Sequence, residues 1–478
     1  MKTFYWFDYE TFGTHPSMDR PAQFAGVRTD EHFNEIGEPL VIYCRQSDDY
    51  LPSPEACLIT GITPQICNEQ GLTEAAFIGR IHAELSQPGT CNVGFNNLRF
   101  DDEFTRHVLF RNFYDAYQHE WKDGNSRWDL IDVVRLTRAL RPEGIHWPFN
   151  EDGTQNNKLE NLTQLNGIAH EAAHDALSDV RATIALARLL KERKGRLFDF
   201  VFEHRDKHSA AKLLNLRDAE PVLHTSGRIS GEFGNTTALL PIARHPRNNN
   251  CILCLDLRTD PTPYLELDAE ELALRLFSPA DELPDDMPRV PVKGVHLNKC
   301  PVLVPLSVLD PASEKRIGLD RATIAAHAAK FGQPESFLAA LKDAYEENQF
   351  DDAPDLDASL YSGGFFTDSD KRAFERLRHT DPAALSLDDV FFDDSRIPEM
   401  LFRYRARNYP ATLNLQDQTD WQQFCAERLY SQYGDGLATY FATLHALREQ
   451  QPDKDKRDIL DALSAYADEL QGKLNAAL

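Results

Sequence analysis

The spacing of apolar residues changes character twice along the 478-residue chain, and no single layer architecture accommodates all three patterns. From Thr3 to about Lys194, short β-rich runs alternate with longer helical ones, which predicts an α/β domain. Thr3–Tyr9, Leu40–Arg45 and Cys91–Phe95 read as strands. Asp101–Phe113, Asp129–Leu140, Leu162–Leu165 and Asp175–Lys194 read as helices, the last with Ala176, Val180, Ile184, Ala187 and Leu190 on one face. Gly195 and Arg196 are expected to close it, because glycine favours the position just past a helix end. From about Pro221 to Pro305 the pattern shifts to short apolar runs broken by Gly, Pro and Asn, such as Thr237–Ile242, Cys251–Leu257 and Val290–Leu297. These predict a small β-barrel or sheet. Beyond about Arg316 the spacing is helical again, interrupted by acidic stretches at Asp351–Asp355 and Asp388–Asp394. The expected division is an α/β domain over 1–195, a β domain over 196–348 and an all-helical domain over 349–478.

Composition narrows the function classes. No stretch approaches the roughly 18 apolar residues of a membrane span, and the N-terminus meets an acid at Asp8, too early for a signal peptide. A cytoplasmic protein with no membrane partner is expected. Its eight cysteines are sparse and irregular, as reduced thiols are. Cys251 and Cys254 form a C-x-x-C without a second pair to complete a zinc site, and read as strand thiols. The net charge of −25 points away from a polyanionic partner. That argument fails if some of the acids hold cations, or if basic residues line one channel.

Three short motifs carry chemistry. Asp8 and Glu10 lie two apart on a predicted strand, so both carboxylates leave one face while Phe7 and Tyr9 leave the other. Two hard oxygen donors converging on one spot suit Mg²⁺, which takes a few carboxylates plus phosphate and water. The same pair also suits a solvated strand end. Asp101 follows Gly94-Phe95-Asn96-Asn97-Leu98-Arg99-Phe100 at the start of a helix, where an acid also caps or complements the dipole. His174 and Asp179 lie five apart at the head of the long helix, able to face one cleft without sharing one ion.

Together, Asp8, Glu10, Asp101, His174 and Asp179 occur in the order and local contexts of the DEDD exonucleases, and the chain resembles the histidine-bearing branch of that superfamily. Its extra length is similar to the bacterial exonuclease I family through nearly the whole chain. The likeness is most specific at Asn125–Leu130, Leu140–Ile145, His296–Leu303 and Phe402–Pro410. The resemblance implies an RNase H-like exonuclease domain, an SH3-like β domain and a helical C-terminal domain. It implies two Mg²⁺ ions, with Mn²⁺ able to substitute: Asp8 bridging both, Glu10 and Asp179 completing one site and Asp101 helping to hold the other. A pair of ions about 3.5 to 4 Å apart serves attack and departure in phosphodiester hydrolysis. His174 would take the proton from the attacking water, and 5′-mononucleotides would leave one at a time from the 3′ end of single-stranded DNA, processively, in repair and recombination.

By position against the family, Glu10, Arg106, Tyr117, Trp121, Arg135 and Lys158 would contact the strand. Lys158 stands where the family has an arginine, so it keeps the charge without the bidentate fork. Arg141 would bind the acidic C-terminal tail of single-stranded-DNA-binding protein, although a structural arginine before Pro142 fits equally. Arg403, Arg405 and Arg407 either extend the DNA path or pair with acids of their own domain. A monomer is expected. The rival readings are an RNA-trimming or proofreading exonuclease and a non-catalytic strand-binding scaffold.

Overall fold

Aromatic and β-branched side chains dominate the first strand, β1 (Thr3–Thr11), and both of its faces are covered. In the computed structural model, which describes residues 2–170, 175–279, 281–347, 353, 355–385, 392–433 and 437–475, β1 pairs antiparallel with β2 (Pro21–Thr29) and parallel with β4 (Thr90–Gly94). Strand β3 (Leu40–Tyr43) adds antiparallel to β2. Tyr5, Phe7 and Tyr9 enter one core with Phe24, Phe77 and Val108, while Phe4 and Trp6 pack on Phe33 on the other side. Asp8 and Glu10 continue the Phe4 and Trp6 face. A register shift between Glu10 and Thr11 ends the regular ladder at the carboxylates, as bulges do where a strand re-aims its side chains.

The described chain divides into two units: Met1–Ser126 with Glu171–Arg181 and Asp352–Leu478, and Arg127–His170 with Ala182–Asp351. In the first unit the C-terminal helices Ile397–Asn408, Leu415–Tyr433, Leu437–Gln450 and Lys454–Asn475 bury apolar residues against the N-terminal segment. Phe12, Tyr50, Leu51 and Cys57 share one core with Trp421, Tyr440, Leu463 and Leu470. Within that unit, Arg20 and Asp49 from the N-terminal segment meet Asp357, Arg407 and Arg428 in a knot of buried ion pairs.

The second unit contains a five-stranded sheet in the order β9 (Val302–Pro305), β5 (Val222–Thr225), β6 (Thr236–Arg244), β7 (Cys251–Asp256), β8 (Val292–His296), antiparallel throughout. Cys251 and Cys254 lie buried in β7, where burial pushes the Cys251 thiol up to about 11. They stay neutral strand thiols at neutral pH. Helices Pro311–Ile317, Arg321–Phe331 and Glu335–Glu347 follow the sheet. Among the described residues, no helix is long and apolar enough to cross a membrane.

Three local features bear on the expectations. The long helix breaks where expected, at Lys194 (φ −135°, ψ 38°) next to Gly195, and a further helical stretch, not anticipated, continues the segment to Glu203. Strand β2 was not anticipated, because its proline, glycine and arginine hide an almost wholly buried strand. Helices Pro54–Thr60, Pro64–Gln70 and Glu74–Leu85 also emerge, each capped by a Ser or Thr side chain on a backbone N–H.

Candidate active site

Each acid reaches the site by a separate local device. Asp8 and Glu10 are presented by β1 beyond the point where β4 stops pairing with it, the last paired residues being Trp6 and Val93. There the backbone N–H of Tyr9 donates to the Asp101 carboxylate at 3.0 Å. The N-cap of helix Asp101–Arg111 is Phe100, so the carboxylate of Asp101 turns toward β1. Thr105, one turn on, donates to the Tyr9 hydroxyl at 3.0 Å and pins the same helix a second time. The approach requires a glycine: a Cβ at Gly94 would lie 2.7 Å from Asn97 Cβ and 3.1 Å from the Phe7 carbonyl oxygen. Asn96 takes a left-handed conformation (φ 71°) in the turn that follows, one that Asn tolerates better than most residues.

Asp179 comes from the first turn of helix Ala176–Glu203, and the Asp175 carboxylate accepts from the Ser178 N–H at 3.1 Å. Asp8, Glu10 and Asp179 each offer an oxygen, and the three lie within 4.8 Å of one another. Burial raises the Asp8 carboxyl well above its usual range, and the charges of Asp101, Glu10 and Asp179 push it further. Glu10 is pushed up to about 8 by burial, then by Asp179, Asp101 and Asp175. Four carboxylates predicted from three distant segments therefore act on one another at one place. His174 lies outside the described residues.

This arrangement fits a hard divalent cation. The donors are all oxygen, Glu10 is buried with Asp8 and Asp179 half-buried, and every charge acting on Asp8 and Glu10 in those shifts is another carboxylate. Burying like charges together is unfavourable unless something of opposite sign joins them. Beside Glu10 opens a cavity of about 560 Å³ whose wall includes Thr11, His15, Leu51, Phe100, Tyr440 and Thr443. Sequence reasoning missed these wall residues. Phe100 adjoins a recognised motif, but nothing local marks Tyr440, more than 400 residues along the chain from Glu10.

The predicted strand contacts have mixed surroundings. Arg106 is buried; its guanidinium donates to Glu120 at 2.7 and 3.0 Å and to Glu103 at 2.8 Å, and it lies over the Tyr117 ring. Tyr117 also meets the exposed Phe365 ring at 6.3 Å, and Trp121 is 63% exposed. In the second unit, Arg135 pairs with Asp132 at 2.6 Å, whereas the Lys158 side chain extends into solvent. Arg141 donates to the carbonyls of Leu140 and Val308 and pairs with Asp310 at 3.0 Å. Arg403, Arg405 and Arg407 lie on a helix and pair with Asp355, Asp417, and both Asp49 and Asp357 respectively. Each of the three arginines is therefore engaged in an ion pair.

Comparison with known proteins extends these observations to the whole chain. Residues 5–187 match the family described as Exonuclease, residues 205–347 the Exonuclease I SH3-like domain and residues 354–470 the Exonuclease I C-terminal domain. Exodeoxyribonuclease I of Escherichia coli K12 is 46% identical over 98% of both chains. The crystal structure of E. coli exonuclease I with a dA16 oligonucleotide superposes with a TM-score of 0.94, 46% identity, and coverage of 98% of this chain and 100% of that one. A structure of SSB/exonuclease I with an inhibitor matches at TM-score 0.91 and 45% identity, covering 98% of this chain and 100% of that one. The architecture is thus an RNase H-like exonuclease domain followed by SH3-like and helical C-terminal domains, and the chain belongs to the exodeoxyribonuclease I family.

Proposed function

We propose that this protein is a 3′-to-5′ exodeoxyribonuclease that degrades single-stranded DNA processively to 5′-mononucleotides, serving DNA repair and recombination in the cytoplasm. The observation that carries the reading is the group Asp8, Glu10 and Asp179, with Asp101 beside it and Glu10 buried on the wall of a cavity of about 560 Å³. The relatives that span nearly the whole chain support it, one of them bound to a dA16 oligonucleotide.

Asp8, Glu10 and Asp179 would hold one Mg²⁺ and Asp8 with Asp101 a second; Mn²⁺ would satisfy the same oxygens. Such ions, when bound, polarise the phosphate and lower the pKa of water. The protein's own groups do the rest. Asp101 locks the Tyr9 backbone, so β1 delivers its two carboxylates in a fixed position. Phe100, half-buried on the cavity wall, offers apolar surface to a terminal nucleoside and helps to exclude water. His174 accepts the proton of the attacking water, a role suited to an unperturbed pKa near 6.5. Tyr117 and Trp121 offer faces for base stacking, with Arg106, Arg135 and Lys158 supplying positive charge along the strand. Arg141 is the proposed contact for the acidic tail of single-stranded-DNA-binding protein. On this reading the domains span 1–195, 196–348 and 349–478, and the enzyme works as a monomer.

The test is digestion of a 3′-labelled single strand by wild type and Asp8→Ala, with and without chelator, beside a matched RNA. Labelled mononucleotide should appear at once, only with wild type and metal. Activity persisting in Asp8→Ala removes the mechanism, and faster loss of RNA removes the substrate assignment.

A further inference from the structure

The loop between β1 and β2 forms part of the cavity wall beside Glu10 through Gly13, Thr14, His15 and Asp19. Its ends meet where the Phe12 N–H donates to the Arg20 carbonyl at 2.9 Å. Inside it, the Asp19 carboxylate accepts from the His15 N–H at 2.8 Å and the Tyr50 hydroxyl at 2.9 Å, against a glycine at position 13 where a Cβ would overlap that carboxylate. The loop closes beside Arg20 through that residue's backbone carbonyl, and the Tyr50 hydroxyl and the Ser53 N–H hold the same end through the Phe12 carbonyl at 3.0 and 2.8 Å.

Arg20 is 2% exposed and faces Asp49 at 3.1 Å and Asp357 at 3.4 Å. Neither carboxylate is held by Arg20 alone. Arg407 donates to Asp49 at 2.8 and 3.1 Å and to Asp357 at 2.6 and 3.1 Å, and Arg428 donates to Asp357 at 3.1 Å. Three guanidinium groups thus converge on two carboxylates, and all five side chains are at least nine-tenths buried. Asp357, Arg407 and Arg428 belong to the C-terminal segment, whereas Arg20 and Asp49 belong to the nuclease segment. A buried charge that loses its partner is strongly destabilised, so the knot tolerates few arrangements.

Resting on the nuclease reading above, we infer that Asp357 and Arg407 are positioning residues for hydrolysis: through Asp49 and Arg20 they fix the loop that walls the cavity next to Glu10. The C-terminal segment then acts on the chemical step as well as on strand retention. None of these residues touches the reacting atoms.

The test compares kcat and KM on two substrates, a long single strand and the p-nitrophenyl ester of thymidine 5′-monophosphate, which is too small to reach along any strand path. Wild type, Arg407→Met, Arg407→Lys and the near-isosteric Asp357→Asn are assayed at least 15 °C below their measured Tm. Leu463→Ala, in the core of the same helical segment, serves as the control for general loosening. The expectation is a kcat at least tenfold lower on the ester for Arg407→Met and Asp357→Asn, KM changed less than threefold, partial recovery in Arg407→Lys, and wild-type kcat in Leu463→Ala. Wild-type kcat on the ester in Asp357→Asn overturns the inference even where Arg407→Met fails to fold. An equal fall in Leu463→Ala overturns it too, by reducing the effect to loosening. Wild type inactive on both substrates sinks the nuclease reading itself; a wild type active on both leaves that reading standing whatever the variants do.

Discussion

Replacing Glu10 by Gln should make the metal-free protein more stable at neutral pH while abolishing its activity. Glu10 ionises near pH 8 in the folded state against an ordinary 4.5, chiefly through burial and then through Asp179, Asp101 and Asp175. Its folded pKa lies above the unfolded one, so its contribution is complete below pH 4.5 and is lost as pH rises toward 8. At pH 7 the unfolded carboxyl has released its proton and the folded one has not, a difference of about 3 kcal/mol against folding. Gln keeps the size of the protonated acid and removes that term. Unfolding entropy near 2.1 cal/mol/K per residue, over 478 residues melting as one, converts ~3 kcal/mol to ~3 °C in Tm. At pH 5 the same bookkeeping leaves under about 1 kcal/mol, so the gain should nearly vanish there. Scanning calorimetry in EDTA at pH 5 and pH 7, repeated with Mg²⁺, reads both effects; wild type should gain Tm from the ion by mass action and the variant much less. A variant that melts at or below wild type in EDTA at pH 7, or gains equally at pH 5, refutes the crowded-carboxylate argument.

Other outcomes follow from the same geometry. Asp101→Asn retains an acceptor for the Tyr9 N–H but loses a charge, so nuclease activity should fall at least a hundredfold with Tm within a few degrees of wild type. Gly94→Ala must displace Asn97 or the Phe7 carbonyl; it should lose about 1–3 kcal/mol, read by urea unfolding, together with part of the activity. Asp49 and Asp357 are held well below the usual carboxylate range: burial opposes this, but the guanidinium groups of Arg407, Arg20 and Arg428 outweigh it. With folded values depressed, their stabilisation is present above the unfolded value near 4 and is lost as pH falls below it. Asp357→Asn should therefore weaken the acid sensitivity of unfolding below pH 4, and at pH 7 should cost about 3–5 kcal/mol by leaving Arg407 short of a charge.

The acids were legible through the resemblance of their order and local contexts to the DEDD exonucleases; taken singly, each local pattern left a structural role open. Asp8 and Glu10 share the period of two of a strand, and Asp101 and Asp179 lie in the first turns of helices whose apolar spacing is plain. Strand β2 was not legible: it is covered on both faces, which erases alternation, and it carries Pro21 and Gly26. The basic residues were ambiguous for another reason. An arginine has the same charge whether it meets DNA or a carboxylate, and Arg106 and Arg407 could be told from a solvated cation only once Glu120, Asp49 and Asp357 were seen against them.

Residue order was enough to specify the three successive patterns, the strand that carries two carboxylates on one side, and the helices that carry the other two. Those features depend on neighbours two to four positions apart, and such spacings survive in a linear text. The meeting of Tyr440 and Leu51 at one cavity, the bond from Tyr9 to Asp101, and the convergence of Arg20 with Arg407 emerged from folding alone. Burial and ion pairing join side chains by distance in space, and partners separated by tens to hundreds of residues leave no periodic trace along the chain.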